Sequence, residues 1–117
     1  MTVETVIGFA SFPPALGQQG AYVVFPSDGT ITGWSIVANG GTATVETWKI
    51  ASGTTSPTIA NSISRRGVSL TTGTAIVSST VTDFTTTTVN ANDIFAFNLS
   101  AASGVTKIEF QLQITVP

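Results

Sequence analysis

The chain of 117 residues contains no cysteine and no histidine. Without cysteine there are no disulfides and no thiolate metal sites. The two absences together exclude zinc fingers, Ser/His/Asp and Cys/His catalysis, and acid–base chemistry by histidine. We therefore expect no enzyme, no catalytic residue, no metal ion and no cofactor.

Charge is also scarce. Four Lys or Arg and six Asp or Glu make up 9% of the chain, where about 25% is typical. Four scattered cations and a net charge of −2 cannot neutralise a row of phosphates, so nucleic acid is excluded as a partner. The acids lie in turns or along strands, where they bond to backbone or face solvent.

Long apolar runs are missing as well. No segment approaches the ~20 consecutive apolar residues of a membrane span, so we expect no membrane partner. The first nine residues lack the basic start and the apolar block of a signal peptide. We therefore expect synthesis in a cytoplasm without export by that route.

Threonine and serine take the place of charge, with 21 Thr and 12 Ser. Thr, Val, Ile and Phe favour strands, and apolar residues at every second position indicate a strand with one buried face. The clearest case is residues 107–116, where one face consists of Ile108, Phe110, Leu112, Ile114 and Val116. The other face consists of Lys107, Glu109, Gln111, Gln113 and Thr115. This pattern predicts a strand with one face in the core.

Residues 93–99 are a second strong candidate, with Phe95, Phe97 and Leu99 on one face. Shorter candidates are residues 3–9, 21–25, 30–38, 42–50, 68–70, 75–82 and 85–89. Asn39-Gly40-Gly41 tolerates positive φ and predicts a tight hairpin between residues 30–38 and 42–50.

One segment departs from the strand pattern. Ser56 suits a helix N-cap and Pro57 suits the first helical position. Ile59 and Ile63 then lie four residues apart on one face of a helical turn. About eight short strands with one such turn indicate a single antiparallel β-sandwich or a small barrel.

Three aromatic residues and one basic doublet are candidates for interface or glycan contacts: Tyr22, Trp34, Trp48, Arg65 and Arg66. Aromatic rings stack on sugars, but large aromatics in strands more often fill a core, with the indole N–H bonded at its edge. Aromatics and arginine are also enriched at subunit interfaces. For Trp34 and Trp48, a place in the core or at a subunit interface is the preferred interpretation.

Several strands carry apolar residues on both faces, although the chain has little charge to keep copies apart. A second face that is covered by another copy resolves this conflict. We therefore expect a homo-oligomer.

The order of three segments resembles a β-sandwich module found in virion proteins of tailed phages. They are Gly29-Thr-Ile-Thr-Gly-Trp34-Ser-Ile-Val-Ala38, Val45-Glu46-Thr47-Trp48-Lys49 and Pro57-Thr-Ile-Ala-Asn-Ser-Ile63. The later segment Ala91-Asn92-Asp93-Ile94-Phe95-Ala96-Phe97-Asn98 is similar to the Gly-Asp-φ-φ-x-Phe-Asn signature of that module, in which φ is apolar. Asn92 stands where the module has glycine, and Glu46 stands where aspartate is common. The resemblance covers residues 16–117.

This resemblance implies a jelly-roll-like domain that forms a homotrimer on a virus particle. It implies a bacteriophage capsid decoration (cement) protein that binds the major capsid protein or another virion protein. The protein would then be made in the host cytoplasm and reside in the virion. The alternative is the receptor- or glycan-binding knob of a tail fibre or spike, with a host surface glycan as its partner.

Residues 1–15 precede the region of resemblance and carry more apolar side chains than a solvated tail needs. Pro13-Pro14 removes two backbone donors and stiffens the junction. We therefore predict an N-terminal arm over residues 1–15 that leaves the sandwich domain of residues 16–117 and attaches it to the particle. The candidate contacts are Val3, Val6, Ile7, Phe9 and Phe12. The alternative is that residues 3–9 are the first strand of the sandwich itself.

Overall fold

The computed structural model describes residues 3–11 and 15–117, and its regular secondary structure over these residues is almost all β-strand. The strands are β1 (Val3–Ser11), β2 (Gly17–Phe25), β3 (Gly29–Ala38), β4 (Thr42–Ile50), β5 (Val68–Leu70), β6 (Ala75–Ser78), β7 (Thr88–Val89), β8 (Asp93–Ser103) and β9 (Ile108–Val116). One 3₁₀ turn, Ile59–Asn61, lies between β4 and β5. The expected all-β fold with one short helical turn is confirmed.

The strands form two antiparallel sheets. The first sheet has the order β1-β9-β3-β6, with the short β7 also paired to β3, and the second has the order β2-β8-β4-β5. Early strands pair with late strands in reverse order: β1 with β9, β2 with β8, β3 with β6 and β7, and β4 with β5. The chain is thus one long hairpin rolled into two sheets, which is the strand order of a jelly roll.

Buried and exposed side chains alternate along β9, which pairs with β1 and β3 in the first sheet. Phe110, Leu112 and Ile114 are fully buried, whereas Glu109 between them is exposed. In β8, Phe95, Phe97 and Leu99 are equally buried and face the first sheet. The two predicted core faces are therefore confirmed, and together they supply much of the core.

Three phenylalanine rings join the two sheets near the β1 edge. The ring centroids of Phe97 and Phe110 lie 5.4 Å apart at 53°, and Phe9 lies 6.0 Å from Phe110 and 6.2 Å from Phe97. Tilted and offset rings at such distances are favourable beyond the burial of their area. Phe9 of β1 is therefore part of the core.

The predicted hairpin between residues 30–38 and 42–50 is wrong, although both strands exist. β3 lies in the first sheet and β4 in the second, so Asn39-Gly40-Gly41 carries the chain across the sandwich. Gly40 and Gly41 have φ values of 143° and 80°, and a Cβ on Gly41 would collide with the carbonyl oxygen of Ser103. Both glycines adopt the positive φ that the sequence predicts, but the reason is the tight crossing from one sheet to the other and not a hairpin.

The helical turn also differs in detail from its prediction. Thr58, not Ser56, is the N-cap residue, and it forms a capping box with Asn61. Ile59 is 67% exposed whereas Ile63 is buried, because the helical geometry ends before Ile63 is reached. The two isoleucines therefore do not share a buried face.

Candidate interaction surfaces

The N-terminal segment does not leave the sandwich over the residues that the structure describes. All nine residues of β1 pair with β9 in unbroken register, from Val3 opposite Val116 to Ser11 opposite Ile108. The expectation of a departing arm is therefore wrong for residues 3–11, and the alternative of a first strand describes them. The physical reason is that Phe9 and Ile7 gain burial in the core that a solvated arm would forgo.

The five candidate attachment residues therefore have different environments. Phe9 is buried in the core and is not free to contact a particle, whereas Ile7 packs against the core and is half-buried. Val6 points to the outer side of the first sheet and is 50% exposed. Val3 begins β1, and Phe12 lies outside the described residues. An attachment role stays a prediction, and of the side chains described Val6 is the one placed to serve it.

The outer face of the first sheet carries mainly aliphatic side chains and the side-chain amides of glutamine. Exposed valines lie on three of its strands: Val6 on β1, Val37 on β3 and Val77 on β6, at 50%, 45% and 73% exposure. Gln111 and Gln113 of β9 lie between them, opposite Gly8 and Val6 of β1. No lysine or arginine stands on the strands of this sheet. This face has apolar contact area and little charge to keep another surface away.

An open groove of about 510 Å³ lies at one end of this face. It runs across the ends of β1, β3 and β9 and is lined by Ala10, Ser11, Val37, Ala38, Asn39, Lys107, Ile108 and Glu109. Its floor is mainly small and apolar, and a second depression follows the outer side of β1 beside Gly8. Both hollows are bordered by β1 and β9.

The three candidate aromatics are placed in three different ways. Trp34 is in the core, and its indole Nε1–H donates to the carbonyl oxygen of Thr80 at 2.9 Å. It is therefore available neither to a glycan nor to a second copy. Tyr22 of β2 is 48% exposed, so it can contact a partner.

Trp48 is buried on the outer side of the second sheet. It lies opposite Ala96 of β8, and on its other side its backbone forms an isolated bridge with Ser62. The connection between β4 and β5 thus closes over this part of the sheet. The Nε1 atom of Trp48 has no hydrogen-bond partner in the structure. Nearby on the same face, the Asn98 amide donates to Glu46 Oε1 at 2.8 Å.

Arg65 and Arg66 lie in the connection between β4 and β5, and both are exposed. Their backbone amides are held by Asp83: Arg65 N–H donates to its carbonyl oxygen at 2.8 Å and Arg66 N–H to its Oδ1 at 2.9 Å. Asp83 therefore fixes the backbone of the basic doublet, whose two side chains are exposed.

The sequence pattern does not predict an ion pair between Lys49 of β4 and Asp93 of β8. Lys49 Nζ lies 3.0 Å from Asp93 Oδ2 and also donates to the carbonyl oxygen of Thr88 at 2.8 Å. The same Asp93 Oδ2 accepts a hydrogen bond from the backbone N–H of Asn90 at 2.8 Å, so this acid also stabilises the turn before β8. The two charged residues lie 44 positions apart, so only the pairing of β4 with β8 brings them together.

In the described part of the chain, no three His, Cys, Asp or Glu side chains are grouped so as to hold a metal ion. None of its helices is long and apolar enough to cross a membrane. No family model, curated protein sequence or solved structure matches this chain. The interpretation of function therefore depends on the fold, the surfaces described above and the motifs of the sequence.

Proposed function

We propose that this protein is a structural component of a bacteriophage virion, a capsid decoration protein that binds the particle surface as a homotrimer. The observation that carries the proposal is the outer face of the first sheet, with its exposed Val6, Val37 and Val77 and no cation. A sheet with one core face and a second face of this composition is suited to being covered by another protein surface.

Two further features support this proposal. The jelly-roll strand order agrees with the fold that the sequence motifs imply. Asn92, which replaces glycine in the motif of residues 91–98, has a φ of 69°, a conformation that glycine and asparagine share. A glycine at this position could therefore adopt the same backbone conformation. Fold alone does not specify function, so the proposal depends on the motifs and the surface together.

The test is binding to particles. Purified protein should bind saturably to capsids that lack it, and a density map of decorated particles should show the sandwich on the capsid surface. A replacement of Val37 by glutamate places charge in the outer face and should weaken this binding, whereas Ile59→Glu, at an exposed site in the connection between β4 and β5, should not. Binding to isolated tails, or to neither, would refute the assignment to the capsid.

A receptor- or glycan-binding knob is the second candidate, and Tyr22 is the observation that favours it. Its ring is 48% exposed on a strand edge, and exposed tyrosine is a common stacking partner of sugars. Under this alternative, the isolated protein should bind host surface polysaccharide saturably, and Tyr22→Ala should abolish that binding without affecting the fold. Undiminished binding by Tyr22→Ala would exclude Tyr22 as the contact.

A further inference from the structure

The edge of β1 that faces away from β9 is unpaired in the structure described. An unpaired edge presents a row of backbone N–H and C=O groups on which another strand can form hydrogen bonds. Proteins usually protect such edges by keeping them short, by interrupting them with a bulge, or by adding lysine or proline.

The other three edges of the two sheets have such protection. β5 and β6 are three and four residues long, and the register of β2 is interrupted between Gln19 and Val23. β1 is nine residues long, pairs with β9 without a shift, and contains no proline and no cation. Its only charge is Glu4. β1 is therefore the edge best suited to accept a further strand.

The side chains of β1 are complementary to a second copy of β1 in antiparallel orientation. The midpoint of Val3–Ser11 is Ile7, and pairing about that residue aligns all nine residues. This register places Val6 of one copy beside Gly8 of the other, twice by symmetry. Gly8 lies on the outer side, where a depression follows the strand, and the exposed Val6 is a side chain that can fill it. Glu4 then faces Ala10, so the two Glu4 carboxylates do not face each other.

The inner side of the strand gains from the same arrangement. Thr5 and Ile7 are half-buried at the open side of the sandwich. In the register centred on Ile7, the two Ile7 side chains meet and Thr5 lies opposite Phe9 of the other copy. Covering these groups removes apolar area from water at the same time as the edge hydrogen bonds form.

We propose that β1 is the contact between two copies of this chain, which pair antiparallel about Ile7 and join their first sheets into one continuous sheet. This inference depends on the fold and not on the proposed function. The contact is two-fold, so it joins two monomers, or two trimers where the trimer also forms. In both cases, loss of the contact halves the mass of the assembly.

The first experiment measures this mass by native mass spectrometry and light scattering on the full chain. Val6→Glu should halve the mass, because diagonal neighbours in an antiparallel pair lie about 7–8 Å apart and the two new carboxylates would repel. Ile59→Glu is the control, since Ile59 is 67% exposed in the 3₁₀ turn between β4 and β5, outside both β1 and the outer face of the first sheet. It should leave the mass unchanged. Circular dichroism checks that both variants keep the β-sheet spectrum.

A charge exchange then tests the register. Val6→Lys alone should also halve the mass, and an equimolar mixture of Val6→Glu and Val6→Lys should restore the full assembly. Hydrogen exchange should show protection of the β1 amides that face away from β9 in the parent chain and in the mixture, and loss of that protection in each single variant, whereas the β1 amides bonded to β9 stay protected throughout. A chain that is monomeric or trimeric at every concentration, a Val6→Glu variant of unchanged mass, or a mixture that does not reassemble would each overturn the proposal.

Discussion

At the scale of single residues, the backbone angle φ of Asn92 limits which amino acids this position tolerates. Its φ is 69°, and its backbone N–H donates to the carbonyl oxygen of Phe25 in the turn that precedes β8. A residue with Cβ pays about 1–2 kcal/mol in this conformation unless it is asparagine or aspartate. We expect urea denaturation to give a free energy of unfolding about 1 kcal/mol lower for Asn92→Ala and within about 0.5 kcal/mol of the parent for Asn92→Gly. Equal losses in the two variants would show that the asparagine side chain, and not the positive φ, determines stability at this position.

The alternation of β9 makes an equally direct prediction. Phe110 and Leu112 are fully buried, so truncation of either to alanine should cost about 2–5 kcal/mol by opening a cavity. Gln111 between them faces outward, where its Nε2 donates to Glu109 Oε1 at 3.0 Å. Gln111→Ala should therefore cost under about 0.5 kcal/mol in the same denaturation experiment. A loss at Gln111 as large as at its neighbours would mean that the outer face is covered in the native assembly.

The ion pair of Lys49 and Asp93 joins residues that are 44 positions apart in the sequence, and its contribution to stability can be measured. The side chains are 13% and 1% exposed, and removing one partner of a buried pair is strongly destabilising, by about 3–5 kcal/mol. We expect Asp93→Asn to lower the free energy of unfolding by about 3 kcal/mol. The double variant Lys49→Met/Asp93→Asn should lose less free energy of unfolding than the sum of the losses in Lys49→Met and Asp93→Asn. Strict additivity would show that the two charges are not coupled.

At the scale of elements, the sequence predicts strands better than it predicts their partners. The faces of β8 and β9 follow from alternation alone, because side chains in a strand alternate between its two sides. Whether β3 and β4 form a hairpin depends instead on where the chain goes after Asn39, and a short glycine-containing loop is compatible with both outcomes. Likewise, Pro13-Pro14 was interpreted as the exit of an arm, although residues 3–11 pair with β9. Partner choice is a property of the whole core, to which Phe9 contributes.

Deletion of residues 2–14 tests the status of β1 as an element. The deletion removes Phe9 from the aromatic cluster and leaves the nine-residue edge of β9 unpaired. We expect the truncated chain to lose its cooperative unfolding transition or to aggregate, whereas Ile59→Ser, at an exposed position between β4 and β5, should have a free energy of unfolding within about 0.5 kcal/mol of the parent. A truncated chain with the parent's urea midpoint would instead show that the segment is a separable arm.

At the scale of the whole molecule, the distribution of cations cannot be read from the sequence alone. Of the four cations, Lys49 is paired with Asp93, and the other three lie in connections between strands. The outer face of the first sheet carries valine, glutamine and small residues together with two carboxylates, Glu4 of β1 and Glu109 of β9. The sequence shows that cations are scarce, but only the register of β1, β3, β6 and β9 shows that none lies on the strands of this face.

This distribution leads to a prediction about the stability of the assembled molecule. If the outer face or the β1 edge is covered in an oligomer, assembly stabilises the folded chain by mass action, and the melting temperature must rise with protein concentration. We expect a clear rise in Tm in calorimetry between about 1 and 100 μM, and Val6→Glu, which weakens the β1 contact, should reduce its slope. Ile59→Glu serves again as the control and should keep the parent slope, because Ile59 lies in the connection between β4 and β5, outside both surfaces. A Tm that is independent of concentration, together with a mass of 12.0 kDa in light scattering, would show that the sandwich is a monomer whose aliphatic face remains open to solvent.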